Sequence, residues 1–278
     1  MATADNLDTP IAKKIDLSKG KLPFKSKGLS GCVDINSKSI EEQRRYGVER
    51  LAAAYRIFSS HGFDLGLVGH ISFRDPEFKD CFWINPLGYH FSQMKVSDLC
   101  LMNQNGELVY GKERTGDAAQ SIHSNIYKSR PDINAVAHAH PMYGKTFSTL
   151  NKELKPITQD SCAFYKRTAT FTDYDGVANG PDEGINIAKA LADKDFLILQ
   201  NHGILTTGSM VETTLWYFLN MEEACKSQLL AEAVGEPIVI PDKVAIHTRD
   251  YVANDLSAFA SIQPLLDVLW EKEPEFLD

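Results

Sequence analysis

The stretch Ala135-Val136-Ala137-His138-Ala139-His140-Pro141 predicts a buried strand that ends in two histidines. Residues i and i+2 of a strand point to the same side, so His138 and His140 are expected to project together. A second apolar run, Phe196-Leu197-Ile198-Leu199, is closely followed by His202. Three histidines at strand ends are typical of a divalent-metal site with an open position. Spacing alone leaves a second interpretation, in which each histidine is a core residue with both ring nitrogens hydrogen-bonded.

The composition is that of an ordinary globular protein, since 43% of the 278 residues are hydrophobic and 24% are charged. The net charge of −8 argues against a surface for nucleic acid or anionic lipid. No apolar run approaches the length of about 18 residues that a membrane-spanning helix needs, so we expect no membrane insertion. The five cysteines are scattered, with no C-x-x-C pair, which favours a reducing compartment. We therefore predict a cytoplasmic protein.

The segments around these strands predict an α+β layered fold. Ser39 and Glu42 fit a capping box at the start of a helix that reaches about His61. Asn105-Gly106 lies between two apolar runs and predicts a hairpin. Further helices are expected over 117–129, 182–192, 211–233 and 257–270. Because hairpins interrupt the alternation of strands and helices, the pattern does not indicate a strict βαβ fold.

We predict one folded domain with an appendage at each end. Residues 1–38 are polar and show little periodicity, so a flexible N-terminal arm is expected there. The domain spans 39–240, and residues 241–278 are expected to form a C-terminal helical extension.

Several common catalytic motifs are missing from the sequence. It contains no Gly-x-Ser-x-Gly elbow, no Gly-x-Gly-x-x-Gly between a strand and a helix, and no Walker loop. Dinucleotide and nucleoside-triphosphate chemistry are therefore not expected. The adjacent carboxylates Glu222 and Glu223 are expected on the solvated face of a helix, not as an acid–base pair.

Four motifs, in this order along the chain, resemble those of the class II aldolase/adducin family. They are Val68-Gly69-His70-Ile71-Ser72-Phe73-Arg74-Asp75-Pro76, Phe82-Trp83-Ile84-Asn85-Pro86-Leu87-Gly88, Ser129-Arg130-Pro131-Asp132-Ile133-Asn134-Ala135-Val136-Ala137-His138-Ala139-His140 and Leu199-Gln200-Asn201-His202-Gly203-Ile204-Leu205. The resemblance covers roughly residues 40–235. It implies an α/β/α layered domain with a largely antiparallel central sheet. It also implies that His138, His140 and His202 match the three metal-binding histidines of the family's aldolases.

The chain departs from the family's sugar-phosphate aldolases around this expected metal site. The glutamate that serves those enzymes as metal ligand and acid/base falls at Ala119, counted back from His138 without a gap. Asp117 and Ala118 replace two small hydroxyl residues that help to hold the substrate phosphate, and His70 replaces the Asn of the Gly-Asn phosphate loop. A carboxylate repels a phosphate dianion. We therefore expect a retained metal site without sugar-phosphate cleavage.

The resemblance leaves three functions to compare. The first is a divalent-metal-dependent, lyase-type enzyme that acts on a carbon–carbon bond of a small unphosphorylated carbonyl or hydroxy-acid substrate. Zinc is the expected metal, with iron or another transition metal as the alternative. The second is a non-heme iron oxygenase on the same fold. The third is a non-catalytic cytoskeletal protein of the adducin-like branch, here as a stand-alone head domain without the long basic tail of adducins; only this function implies an actin-type partner.

Candidate residues for the first function follow from the resemblance and the departures. In place of the missing glutamate, the candidate catalytic residues are Asp117, His123 and Tyr165, each of which also has a structural interpretation as a helix N-cap or a packing residue. Substrate binding is expected from Gly69, His70, Ser72, Gly88 and Asp117. The family's active sites lie near subunit boundaries, so we expect a homo-oligomer, either a dimer or a tetramer.

Overall fold

A computed structural model of the chain describes residues 9–22, 34–174, 176 and 181–278. The α-helices of these residues are α1 (Ile40–Ser60), α2 (Asp117–Ser129), α3 (Met142–Ser148), α4 (Pro181–Leu191), α5 (Val211–Val234), α6 (Asp242–Val252) and α7 (Asp255–Lys272). The capping box is confirmed, because the Ser39 N–H donates to the Glu42 carboxylate at 2.8 Å and the Glu42 N–H donates to Ser39 Oγ at 3.3 Å. None of these helices has both the length and the apolar character needed to cross a bilayer.

Eight strands form one sheet in the order β4-β3-β2-β1-β5-β8-β7-β6. The strands are β1 (His70–Arg74), β2 (Cys81–Ile84), β3 (Cys100–Asn103), β4 (Leu108–Tyr110), β5 (Ala135–Ala139), β6 (Thr168–Phe171), β7 (Phe196–Leu199) and β8 (Gly203–Gly208). All neighbours pair antiparallel except β6 and β7, which are parallel. The predicted fold class, layered α+β with a largely antiparallel sheet, is confirmed.

Alternation along the strands divides the core into two layers, one on each face of the sheet. In β5, Ala135, Ala137 and Ala139 belong to the layer that packs against α1 and α5. Val136 belongs to the opposite layer, which contains the apolar side chains of α2 and α4. His138 has the same parity as Val136 and therefore faces α2.

The N-terminal segment that the structure describes packs against the domain. Ala12 and Ile15 are buried, and Arg45 of α1 donates to the Leu17 carbonyl at 2.9 Å. The rest of the predicted arm, residues 1–8 and 23–33, lies outside the described residues. The division of the chain at 39 and 240 stays a prediction.

Two details of the sequence interpretation are wrong. Glu222 is buried, and its carboxylate accepts from the N–H groups of Tyr143 and Gly144 at the start of α3, whereas Glu223 is exposed as expected. The C-terminal region contains two helices, α6 and α7, where one was expected. α6 was missed because it is short and largely exposed, so its sequence shows little apolar periodicity.

Candidate metal centre and active-site cavity

His138 and His140 project together from the end of β5, as their i, i+2 spacing predicts. His138 is the fourth residue of the strand and is buried, while His140 follows the strand and is half-buried. Their Nε2 atoms lie 3.1 Å apart. Pro141 then begins the connection to α3, so the two histidines lie at the C-terminal end of a central strand.

His202 reaches the same place from the turn between β7 and β8. Asn201 adopts the left-handed conformation, with a φ of 56°, and the His202 N–H donates to the Leu199 carbonyl at 3.0 Å. A Cβ on Gly203 would lie 2.6 Å from the Ala139 carbonyl oxygen, so only glycine allows this close approach of β8 to β5. We call His138, His140 and His202 the histidine triad. Its three potential ligand atoms all lie within 4.8 Å of one another.

The chemistry of the triad fits a divalent metal ion. The ring N–H of His138 Nδ1 donates to the Ile204 carbonyl at 2.9 Å, which leaves the lone pair of Nε2 free to bind a metal. Nδ1 of His202 is buried without a hydrogen-bond partner among the described residues. Burial lowers the pKa of all three imidazoles, that of His202 to about 4, so each ring is neutral at pH 7, as a metal ligand must be.

The triad forms one wall of a cavity of about 470 Å³. The residues that line it are Leu67, Val68, Gly69, His70, Asn85, Leu87, Thr115, Gly116, Asp117, Ala118, Ala119, Ile122, His138, His140, Tyr174, Gly176 and His202. Ala119 therefore presents its methyl group to the same space as the triad. Among the described lining residues, the single carboxylate is Asp117, and none is a lysine or an arginine.

A row of four buried polar side chains lies behind the triad, and we call it the polar row. His70 Nδ1 contacts His123 Nε2 at 2.6 Å, His123 Nδ1 contacts Ser72 Oγ, and Ser72 Oγ contacts the Tyr127 hydroxyl at 2.7 Å. His70 pairs with His138 in the register of β1 and β5, and their ring centroids are 4.9 Å apart. Burial lowers the pKa of His70 well below its usual range and that of His123 to about 3, so both rings are neutral.

The predicted substrate-binding residues are only partly brought together. Gly69, His70 and Asp117 line the cavity. Ser72 is fully buried behind His70 and reaches the cavity only through the polar row. Gly88 is exposed beside the lining residue Leu87 and has a φ of 90°.

The predicted catalytic residues occupy three different environments. Asp117 is the first residue of α2, after the N-cap Gly116, and its side chain is 76% exposed at the rim, where Arg114 lies 3.1 Å away. His123 is fully buried in the polar row and does not itself line the cavity. Tyr165 is not brought to the triad, because its hydroxyl donates to Asp242 of α6 at 2.7 Å on another surface of the molecule. The expectation that placed Tyr165 beside the metal is therefore corrected.

The sequence interpretation missed Tyr127, which ends the polar row. Tyr127 is buried one helical turn after His123 on α2. The i, i+4 spacing places both side chains on one face of the helix, so this pair could have been found. Asn85 and Thr115 also line the cavity, and nothing in their local sequence distinguishes them from turn residues.

Comparison with known proteins identifies relatives of this chain. The profile of the family described as Class II Aldolase and Adducin N-terminal domain matches residues 49–229. Over 236 residues the chain is 38% identical to "Decarboxylase NovR" of Streptomyces niveus, across 84% of this chain and 87% of that protein. It is also 38% identical over 236 residues to the "4-hydroxy-3-prenylphenylpyruvate oxygenase/4-hydroxy-3-prenylbenzoate synthase" of Streptomyces roseochromogenus, across 84% and 85% of the two chains.

A solved structure supports the same relationship. The "L-fuculose 1-phosphate aldolase from Glaciozyma antarctica PI12" superposes with a TM-score of 0.79 and is 37% identical, over 92% of this chain and 98% of that one.

Proposed function

This chain belongs to the class II aldolase and adducin family, and from that premise we propose that it is a divalent-metal-dependent enzyme. Its substrate is a small unphosphorylated carbonyl compound or hydroxy acid, and its reaction is lyase-type cleavage or formation of a carbon–carbon bond. The observation that carries the proposal is the histidine triad, whose three neutral rings meet within 4.8 Å on the wall of a 470 Å³ cavity. Zinc is the proposed metal, since it suits three imidazole ligands and an open position.

The side chains of the triad would hold the metal, and the metal would supply Lewis-acid polarisation of a substrate oxygen. The Ile204 carbonyl fixes the His138 ring in the tautomer that exposes Nε2. Ala119 adds no ligand and no base. Asp117 at the rim is the candidate proton acceptor, because it is the one carboxylate among the described lining residues.

The charge of the cavity supports an unphosphorylated substrate. Its described lining has no lysine or arginine to balance a phosphate dianion, and the nearby Arg114 is paired with Asp117. A carboxylate at the rim raises the energy of a dianion further. A substrate with one carboxylate or none, such as a 2-oxo acid or a 2-hydroxy acid, fits this cavity better.

A non-heme iron oxygenase is the second candidate, and one observation favours it. A triad of neutral histidines without a carboxylate ligand leaves several positions on a metal for substrate and oxygen. One relative at 38% identity also carries the word oxygenase in its name. This candidate shares the triad and the cavity with the first, so oxygen dependence separates the two.

The experiment starts with protein purified without added metal or chelator, whose metal content is measured by mass spectrometry. About one divalent transition-metal ion per chain is expected in the wild type, and almost none in His138→Ala. The protein is then incubated with pyruvate and a panel of small aldehydes, and with 4-hydroxyphenylpyruvate, with and without oxygen. His247→Gln on the exposed face of α6 is the matched control.

Each outcome decides between the candidates. Turnover in the absence of oxygen that His138→Ala abolishes supports the carbon–carbon lyase. Turnover that consumes oxygen and requires iron favours the oxygenase. A wild-type protein that holds no metal and converts none of these compounds overturns both enzyme functions and leaves the non-catalytic, adducin-like module, which co-sedimentation with actin filaments then tests.

We also propose that the chain works as a cytoplasmic homo-oligomer, either a dimer or a tetramer. Large apolar side chains are exposed from the end of α5 onwards, among them Leu230, Val234 and Ile238, and their burial between subunits would be favourable. Four of the five cysteines, Cys81, Cys100, Cys162 and Cys225, lie among the described residues, where they are buried and form no disulfide, which supports a reducing compartment. Light scattering tests the oligomer: a mass of two or four times 31.0 kDa is expected, and a mass of 31.0 kDa contradicts it.

A further inference from the structure

We propose that His70 is a neutral hydrogen-bond donor whose Nε2–H stabilises negative charge on a substrate oxygen bound beside the histidine triad, and that His123 and Ser72 hold it in the required tautomer. The inference rests on the proposed function, because it assigns a role in the same cavity. The proposal assigns a role to the side chains of the polar row, which the match to the family does not do.

The position of His70 is the first observation. His70 lines the cavity, and its ring centroid lies 4.9 Å from that of His138. His123 occupies its Nδ1, and Nε2 has no partner among the described residues. One ring nitrogen is therefore tied into the protein, while the other is available to a molecule in the cavity.

The direction of the hydrogen bonds in the polar row decides whether Nε2 of His70 is a hydrogen-bond donor or an acceptor. When both histidines are neutral, each carries one proton, and two arrangements satisfy every link while giving the Ser72 hydroxyl proton an acceptor. A third arrangement, in which Ser72 Oγ accepts from both His123 and Tyr127, leaves that buried hydroxyl proton without an acceptor among the described residues and is therefore unfavourable. In the first, Tyr127 donates to Ser72, Ser72 donates to Nδ1 of His123, and Nε2–H of His123 donates to Nδ1 of His70. The proton of His70 then lies on Nε2 and points to the cavity as a donor. In the second, every link is reversed and His70 presents a lone pair.

The far end of the row favours the first arrangement. The reversed row requires the Tyr127 hydroxyl to donate elsewhere, and the acceptor within reach is the Asn134 carbonyl at 3.4 Å. That distance is long for an O–H···O bond. The same carbonyl already accepts the Arg74 N–H at 2.8 Å. The Ser72 Oγ at 2.7 Å is the better acceptor for the buried Tyr127 hydroxyl, so the proton of His70 lies on Nε2.

A preorganised donor at this position can stabilise negative charge on a substrate oxygen, which the methyl group of Ala119 cannot do. A metal ion held by the triad would polarise a carbonyl or hydroxy acid, and negative charge would then develop on a substrate oxygen. A fixed N–H in a buried site stabilises such charge more strongly than water does, because it needs no reorientation. His70 would touch the substrate and is therefore a catalytic residue, in addition to the candidate proton acceptor Asp117. His123 and Ser72 act through it and are positioning residues.

Nuclear magnetic resonance tests the tautomer without any substrate. The protein is labelled with ¹⁵N-histidine and loaded with zinc, and the ring nitrogens of His70 are assigned by the signals lost in His70→Gln. A protonated Nε2 and an unprotonated Nδ1 are expected. In Ser72→Ala the signals should shift towards a mixture of tautomers, because His123 Nδ1 loses its donor. A protonated Nδ1 on His70 in the wild type overturns the inference.

Oxalate binding to the zinc-loaded protein tests the donor itself. Oxalate is a planar anion that resembles the enolate of a 2-oxo acid. His70→Met removes the N–H while keeping an apolar side chain of similar length, and should weaken the affinity for oxalate by about tenfold or more. His70→Gln restores an amide N–H near the position of Nε2 and should recover most of the affinity. His247→Gln is the control, and zinc content is measured in every variant.

The outcomes distinguish this inference from the function it rests on. Oxalate that binds the wild type and His70→Met equally, at equal zinc content, overturns the inference while the metal centre stands. A wild-type protein that binds neither zinc nor oxalate counts against the proposed function, and the tautomer measured in the metal-free protein still tests the polar row. A loss in His70→Met that His70→Gln does not restore contradicts the donor role.

Discussion

Two buried polar clusters lie at opposite ends of β1 and differ in how completely their atoms are paired. At the end that follows Arg74, Asp75 is fully buried and accepts from Arg44 at 2.8 and 3.1 Å and from Trp83 Nε1 at 2.9 Å. We call Arg44, Asp75 and Trp83 the aspartate cluster. At the end that begins with His70 lies the histidine triad, where His202 Nδ1 has no partner among the described residues.

This difference in hydrogen bonding distinguishes a cluster that only stabilises the fold from one that can bind a ligand. Asp75 also accepts the N–H groups of Glu77 and Phe78 at 2.9 and 3.0 Å, so its carboxylate is saturated and has no capacity for a ligand. In the triad, by contrast, His202 Nδ1 is buried without a hydrogen-bond partner among the described residues, and the Nε2 atoms of His138 and His140 have only each other, at 3.1 Å. Buried polar atoms are normally satisfied, and an unpartnered ring nitrogen in a group of three histidines whose ligand atoms lie within 4.8 Å of one another favours a bound group outside the protein chain. We propose that this group is a metal ion.

The largest effect should come from breaking the saturated cluster. Asp75→Asn leaves the buried Arg44 guanidinium with Glu77, at 2.8 Å, as its remaining charged partner, and that side chain is 40% exposed, so the free energy of unfolding should fall by about 3 kcal/mol. Urea denaturation of the metal-free protein measures this loss. Glu77→Gln is the control, since its side chain is 40% exposed and should cost less than about 1 kcal/mol. Equal losses in the two variants would contradict the comparison.

Breaking the triad should remove a stabilisation that exists only with metal. Free zinc at 100 times its dissociation constant should raise the free energy of unfolding of the wild type by about 2.7 kcal/mol. His140→Ala is the variant of choice, because His140 is only half-buried and its loss disturbs the core least. Denaturation with and without zinc should show the increase in the wild type and in His247→Ala, but not in His140→Ala. A similar increase in all three would mean that zinc binds elsewhere.

Introducing a carboxylate at position 119 tests the triad through a gain in its affinity for zinc. Ala119→Glu places a negative charge in the cavity next to the triad, and the affinity for zinc should rise roughly tenfold, which is about 1.4 kcal/mol. Ala119→Gln has the same shape without the charge and should show little gain. Competition with a chelating dye gives both affinities, and equal affinities in Glu and Gln variants would show that position 119 does not face the ion.

The smallest effect is expected at Tyr165, which lies outside both clusters. Tyr165→Phe removes one exposed hydrogen bond to Asp242, so the free energy of unfolding should change by no more than about 0.5 kcal/mol. Zinc affinity should not change. A variant with normal stability and tenfold weaker zinc binding would return Tyr165 to the active site, for example across a subunit boundary.

Local sequence patterns were sufficient to predict the framework of the fold. The Ser39 capping box, the Asn105-Gly106 turn and the parity of His138 and His140 are confirmed because each depends on a few neighbouring residues. The helix 242–252 was missed because an exposed helix on the surface leaves a weak apolar pattern. Glu222 was placed in solvent because nothing near it in sequence reveals the α3 N–H groups that it accepts from.

The site was predictable only in part, for the same reason. The triad could be inferred because two strand ends carry histidines at a spacing that fixes their direction. The polar row joins β1 to α2 over 50 or more residues of sequence. No local pattern shows that Ser72 meets His123 or that Tyr127 completes the row. Tyr165 was misplaced because a tyrosine in an irregular segment carries no information on which surface it faces.

Anomalous diffraction from crystals grown with zinc, measured on both sides of the zinc absorption edge, tests directly whether the histidine triad binds a metal ion. We expect one strong peak per chain, at about 2.0–2.1 Å from one ring nitrogen each of His138, His140 and His202. Crystals of His140→Ala grown in the same way should lack this peak. A wild-type crystal with no peak at the triad, or with zinc bound only at other residues, would contradict metal binding by the triad.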